Sequence, residues 1–130
     1  MLRFANAFIV VFSLAFVFLA VPSTSHAAGL PKGVTIELIA EYASNTPGVE
    51  KILFRKITIK PGASWSLTVP DQSLCQGTKG TLSVTNHTSG KSAVKKTGDR
   101  WVTTPGHKVT LSNKGSVDHE HLFYTMVAKK

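Results

Sequence analysis

The sequence predicts an all-β domain, an antiparallel sandwich or barrel, and three observations carry this. From Thr35 onward the chain runs in short alternating or β-branched stretches. Gly, Pro, Asn and Asp break these stretches about every 8–12 residues. No sustained helical periodicity competes with them.

The elements follow in order. Thr35–Tyr42 alternates, with Ile36, Leu38, Ala40 and Tyr42 on one face, and Ser44–Gly48 is a turn. Ile52–Lys60 is apolar and β-branched, and Pro61-Gly62 stops it. Ser64–Val69 ends at Pro70-Asp71. Leu74–Gly77 leads through Lys79-Gly80 to Thr81–Thr85. Asn86–Lys91 is a hairpin turn before Ser92–Lys96, with His87 exposed on it. Arg100–Thr104 stops at Pro105-Gly106, Lys108–Asn113 at Lys114-Gly115, and His119–Ala128 is the last strand.

The N-terminus reads differently. Met1-Leu2-Arg3 precedes an apolar run from Phe4 to Val21, interrupted only by Asn6 and Ser13, and then the small polar segment Pro22–Ala28. This order predicts a signal peptide over 1–27, cleaved after Ala27, and a secreted or periplasmic address. The alternative is an uncleaved N-terminal membrane anchor, since about 18 apolar residues approach the lower limit for a span. Residues 28–33 read as a loose leader and 34–130 as the domain.

Removing 1–27 leaves 103 residues with 14 basic and 7 acidic side chains, a net charge of +7. That favours anionic partners. The basic residues are scattered without an arginine-rich, aromatic-interleaved stripe, so nucleic acid is not expected. A single cysteine, Cys75, cannot form an internal disulfide; it reads as a buried, inert thiol, and the fold must rest on its core.

Lys60-Pro61-Gly62, Lys79-Gly80-Thr81-Leu82, Gly98-Asp99, Pro105-Gly106 and Leu111-Ser112-Asn113 together resemble a small single-domain cupin over about Gly33 to Val127. The second cupin motif matches in skeleton: Gly106 falls eight positions after Gly98 and Asn113 fifteen after it, with the proline displaced by one to Pro105. In the first motif Gly62 and Gly80 are the two glycines, with Lys79-Gly80 expected as a hairpin turn. The resemblance implies a jelly-roll, cupin-like β-barrel. The positions where cupins hold a metal fall at Thr68, Pro70, Ser73 and Val109, and these side chains do not form a metal donor set.

His107, His119 and His121 form a late group. His119 and His121 share one face of a strand. They are expected as exposed histidines at a polar strand start beside Asp118 and Glu120; the alternative is a relocated site for a divalent transition metal with His107. Trp65 and Trp101 read as packing residues, Trp101 near a barrel mouth where it can stack on a ligand.

The reading is a non-catalytic barrel without a cofactor that binds a small, anionic molecule or a partner. Its pocket is expected from Ser66, Thr68, Ser73, Cys75, Trp101 and Val109. The alternatives are a cupin-type metalloenzyme using His107, His119 and His121, and a homodimer whose barrel serves self-association.

Overall fold

The computed structural model describes residues 29–130; the expected signal peptide lies outside them. Among these residues there are nine strands: β1 (Val34–Ala43), β2 (Val49–Ile59), β3 (Ser64–Thr68), β4 (Gln72–Lys79), β5 (Thr81–Asn86), β6 (Lys91–Lys96), β7 (Arg100–Val102), β8 (Lys108–Ser112) and β9 (His119–Ala128). They form two antiparallel sheets, ordered β1-β2-β9-β4-β7 and β3-β8-β5-β6. The described residues are all-β, as the turn spacing predicts, with the jelly-roll arrangement of two facing sheets. No helix among the described residues is long and apolar enough to cross a membrane.

Two details depart from the sequence reading. In β1 the register against β2 shifts between Leu38 and Ala40, at Ile39. Directly opposed residues share a face, so Ile36 and Leu38 lie with the inward Ile57 and Arg55, while Ala40 and Tyr42 lie with the outward Phe54 and Ile52. One bulge thus splits the alternating face in two. Second, Lys79-Gly80 is not a hairpin. β4 pairs with β7 and β9, and β5 with β6 and β8. Gly80 is instead the corner where the chain passes between sheets. Its φ is +67°, and a Cβ there would stand 2.5 Å from the Asp118 carbonyl oxygen, so the corner accepts only glycine.

The two sheets close on each other at this end through Val34, Ile57, Ile59 and Leu82. Leu30 packs against the same cluster, and Lys60 N–H donates to the Gly33 carbonyl at 2.8 Å, so residues 29–33 are tied to the barrel rather than loose. Asn113, only 1% exposed, pins the end from within. Its Nδ2 donates to the carbonyls of Ile59 and Val117, both at 2.8 Å, and its Oδ1 accepts from Gly115 N–H at 2.9 Å. These bonds join the end of β2 to the β8–β9 loop.

Asn113→Ala leaves two carbonyls and one N–H without their partner in a site that water does not reach freely. The expected loss is about 2–4 kcal/mol of unfolding free energy, measured by denaturant titration. A loss under about 0.5 kcal/mol would show that the closed end does not depend on this side chain.

Candidate ligand-binding cavity

The last strand organises the interior. β9 alternates, with His119, His121, Phe123 and Thr125 inward and Leu122, Tyr124 and Met126 outward. It lies between β2 and β4, so its inward residues meet neighbours on both sides. Ile57 and Gly77 flank His121, Arg55 and Cys75 flank Phe123, and Ser73 stands opposite Thr125. The opposing sheet contributes Trp65 and Leu67 from β3, and Val109 and Leu111 from β8. Above the closed end these walls stand apart and leave a cavity of about 280 Å³. Its rim is made by Thr68, Val69, Pro70, Asp71 and Thr103. The volume is near the small end of the range for small-molecule sites, about 300–1,000 Å³.

The walls are mostly apolar, and burial shifts Cys75, His121 and the adjoining His119 each towards the neutral form. Cys75 is buried, and its desolvated thiol is pushed up to about 12, which makes it the inert thiol the sequence suggests. His119 and His121 are 0% and 5% exposed, and His119 Nε2 lies 2.8 Å from His121 Nδ1. One ring must donate and the other accept, which two neutral imidazoles do. Burial, and then the neighbouring His119, lowers the His121 pKa to about 3. Burial also lowers that of His119, opposed in part by the Lys79 backbone and Glu120. His121 further packs edge-on against Trp101, with ring centroids 5.1 Å apart.

The Arg55 guanidinium lies 4.5 Å from the Phe123 ring centroid, and Nη2 donates to Thr125 Oγ1 at 2.7 Å. Thr125 Oγ1 lies in turn 2.7 Å from Ser73 Oγ. Burial lowers the Arg55 pKa, while the charge of Asp71 raises it; arginine nonetheless stays charged near neutral pH.

Of the pocket residues expected from sequence, Thr68, Ser73, Cys75, Trp101 and Val109 line the cavity. Ser66 does not. Trp65 and Leu67 take the inward face of β3, and Ser66 turns outward to Thr110 Oγ1 at 2.8 Å. Burying a tryptophan and a leucine in place of a serine decides that parity. The histidines are corrected in two respects. His119 and His121 are buried, not exposed, because β9 is a central strand. His107 sits apart from them, its Nδ1 2.9 Å from Asn86 Nδ2. Among the described residues no three His, Cys, Asp or Glu side chains converge as a metal site would require. His87 is exposed on the β5–β6 hairpin, as expected. Sequence reading missed Arg55, although its parity with the buried Ile57 and Ile59 points it inward.

No family model and no curated protein matches the chain. Solved structures do. A protein of unknown function from Rhizobium leguminosarum is 16% identical, with a TM-score of 0.61 over 82% of this chain and 93% of that one. The Cupin_2 domain of an XRE family transcriptional regulator from Enterobacter cloacae is 13% identical, with a TM-score of 0.60 over 75% of this chain and all of that one. A predicted oxalate decarboxylase from Thermotoga maritima is 20% identical, with a TM-score of 0.56 over 72% and 80%. At these identities the likeness is one of fold, and the fold is that of a small cupin. The positions corresponding to the cupin metal ligands, Thr68, Pro70, Ser73 and Val109, all line the cavity. They supply two hydroxyls, a proline and a methyl-bearing wall, a set that does not fit the metal.

The histidine pair makes stability pH-dependent. Both folded pKa values lie below the ordinary 6.5, so the unfolded chain takes up protons that the folded chain refuses. Stability is therefore full above pH 6.5 and falls below it, continuing towards pH 3 for His121. From His121 alone the expected fall between pH 7 and pH 5 is about 2 kcal/mol, read by denaturant titration at each pH. His121→Gln, which keeps a partner for His119 but does not titrate there, gives a shallower fall. Equal stability at both pH values would show that the rings are not held neutral.

Proposed function

Starting from a cupin fold whose ligand positions hold no metal donors, we propose that this protein is a metal-free barrel that binds a small molecule between its two sheets. One observation carries the reading: Thr68, Pro70, Ser73 and Val109 line an apolar cavity at the place where the fold family does its chemistry. Such a cavity offers its walls and a few polar groups as recognition elements. The buried thiol and the neutral histidines give no activated nucleophile, so the reading is of binding and not of turnover. The N-terminal pattern over 1–27 supports export of the domain to a secreted or periplasmic location, where it would meet its ligand.

The test uses Trp65 and Trp101, which both line the cavity, as internal reporters. Benzyl alcohol, benzoate and benzylamine share one apolar body and differ in charge. At least one is expected to change tryptophan fluorescence saturably, and Val109→Phe, which fills the space, to weaken that binding at least about tenfold. The untagged protein is expected to carry no stoichiometric iron, manganese, zinc or copper by elemental analysis. No saturable response to any of the three compounds, or a stoichiometric metal, would overturn the reading.

A second reading, self-association, is favoured by the outer face of the larger sheet. Leu74, Val102, Tyr124 and Met126 are exposed there, and Phe54 stacks on Tyr124 with centroids 4.4 Å apart. At the β1–β2 side of this face Lys56 pairs with Glu37 at 3.2 Å. Locally balanced charge of this kind lets two copies of a strongly basic chain approach. Sedimentation over a range of concentrations is expected to show a dimer that Tyr124→Lys dissociates; a monomer at every concentration removes this reading.

A further inference from the structure

Arg55 is placed as a structural arginine seldom is. It projects from a central strand into an apolar cavity, yet among the described residues no carboxylate oxygen lies within 4.0 Å of it. A guanidinium has five N–H donors, and one hydrogen bond, to Thr125 Oγ1, is made. Nε is enclosed without a partner, and Nη1 makes no hydrogen bond to a described residue. The group is nevertheless held firmly. Phe123 lies under its face, and the Thr125–Ser73 hydroxyl pair stands behind Nη2. A desolvated charge with its donors unmet is unfavourable unless something else meets them. The surroundings fix the guanidinium plane and leave its terminal nitrogens available.

We propose that Arg55 anchors a carboxylate, so that the cavity's ligand is a small monocarboxylic acid with an apolar body. This inference rests on the reading of the cavity as a ligand site. Nη1 and the second N–H of Nη2 are adjacent donors, and two parallel N–H···O bonds to one carboxylate match that fork. The rest of the acid lies against Phe123, Trp101, Trp65 and Leu111, which offer apolar contact and no second cation. A single cation matches a single negative charge, so a monocarboxylate is favoured over a doubly charged anion. Asp71, on the rim, competes for the same charge from a distance and tunes the site towards weaker binding. The net +8 of the full sequence steers anions towards the protein.

The experiment compares benzoate with benzyl alcohol and benzylamine by tryptophan fluorescence and calorimetry on the same protein. The wild type is expected to prefer benzoate over benzyl alcohol by about ten- to hundredfold, the range of charge-assisted hydrogen bonds. Arg55→Met, similar in length and uncharged, is expected to erase that preference while still binding the alcohol. Arg55→Lys keeps the charge but not the fork, and an intermediate preference is expected. Asp71→Asn is expected to tighten benzoate and leave benzyl alcohol unchanged. If Arg55→Met does not fold, the wild-type acid-to-alcohol ratio and Arg55→Lys decide. Equal binding of acid and alcohol by the wild type, or a benzoate preference that both Arg55 variants retain, overturns the carboxylate assignment and leaves the cavity reading standing. No binding of any of the three compounds overturns both.

Discussion

Everything in the interior depends on β9 being paired on both sides. A strand with β2 on one edge and β4 on the other has no free backbone to hydrate, and its inward side chains go where the pairing sends them. That is why two histidines in a polar-looking sequence, flanked by Asp118 and Glu120, are buried side by side. The same pairing aligns Arg55 with Phe123 and Cys75, and His121 with Ile57 and Gly77, in successive rows. Each row adds a character of its own to the cavity: neutral imidazole near the closed end, then a cation on an aromatic face, then hydroxyls towards the rim.

The row geometry also explains why the cavity is open at one end only. At the closed end the chain crosses between sheets at Gly80, against the Asp118 carbonyl, and Asn113 ties the β8–β9 loop to the end of β2. Gly77 permits a second close approach, since a Cβ there would stand 2.5 Å from the Lys96 carbonyl oxygen. With no side chain at these points the two layers meet directly. Further along, Trp65, Trp101 and Phe123 are large enough to hold the sheets apart but do not fill the space between them. Packing is complete where side chains are absent or aliphatic, and incomplete where they are broad and rigid.

Much of the fold was legible because its signals are local. Turn residues mark the strand ends wherever glycine takes positive φ, as at Gly62, Gly98 and Gly106, and β9 falls on the expected residues. The pocket was legible at Thr68, Ser73 and Val109, which motif spacing also marks, and at Cys75, where parity alone succeeds. It was not legible at Ser66, where parity alone could not say which alternate set of β3 faces inward; only the competition between Trp65 and Ser66 for burial decides that. The Ile39 bulge and the corner at Gly80 were illegible for another reason. Both depend on which strand pairs with which, a long-range fact that a local pattern does not encode. Arg55 is hard to read because a charged residue in a strand is ordinarily solvent-facing, and parity with Ile57 and Ile59 is the one local signal against that.

The electrostatics of the cavity follow from the same placement. Dry walls drive each titratable group towards its neutral form, and Cys75, His119 and His121 comply, each shifted in the direction that removes charge. Arginine cannot comply within the ordinary pH range. The cavity is therefore left with one permanent charge, half supported by an aromatic face and a threonine hydroxyl, and with Asp71 only at its rim. A metal-binding cupin site is a cluster of donors awaiting a cation. Here the donors have given way to small and apolar side chains, and the charge that remains on the wall is itself the cation. In the proposed carboxylate site the polarity of recognition is reversed, from donors that take up a cation to a cation that takes up an anion.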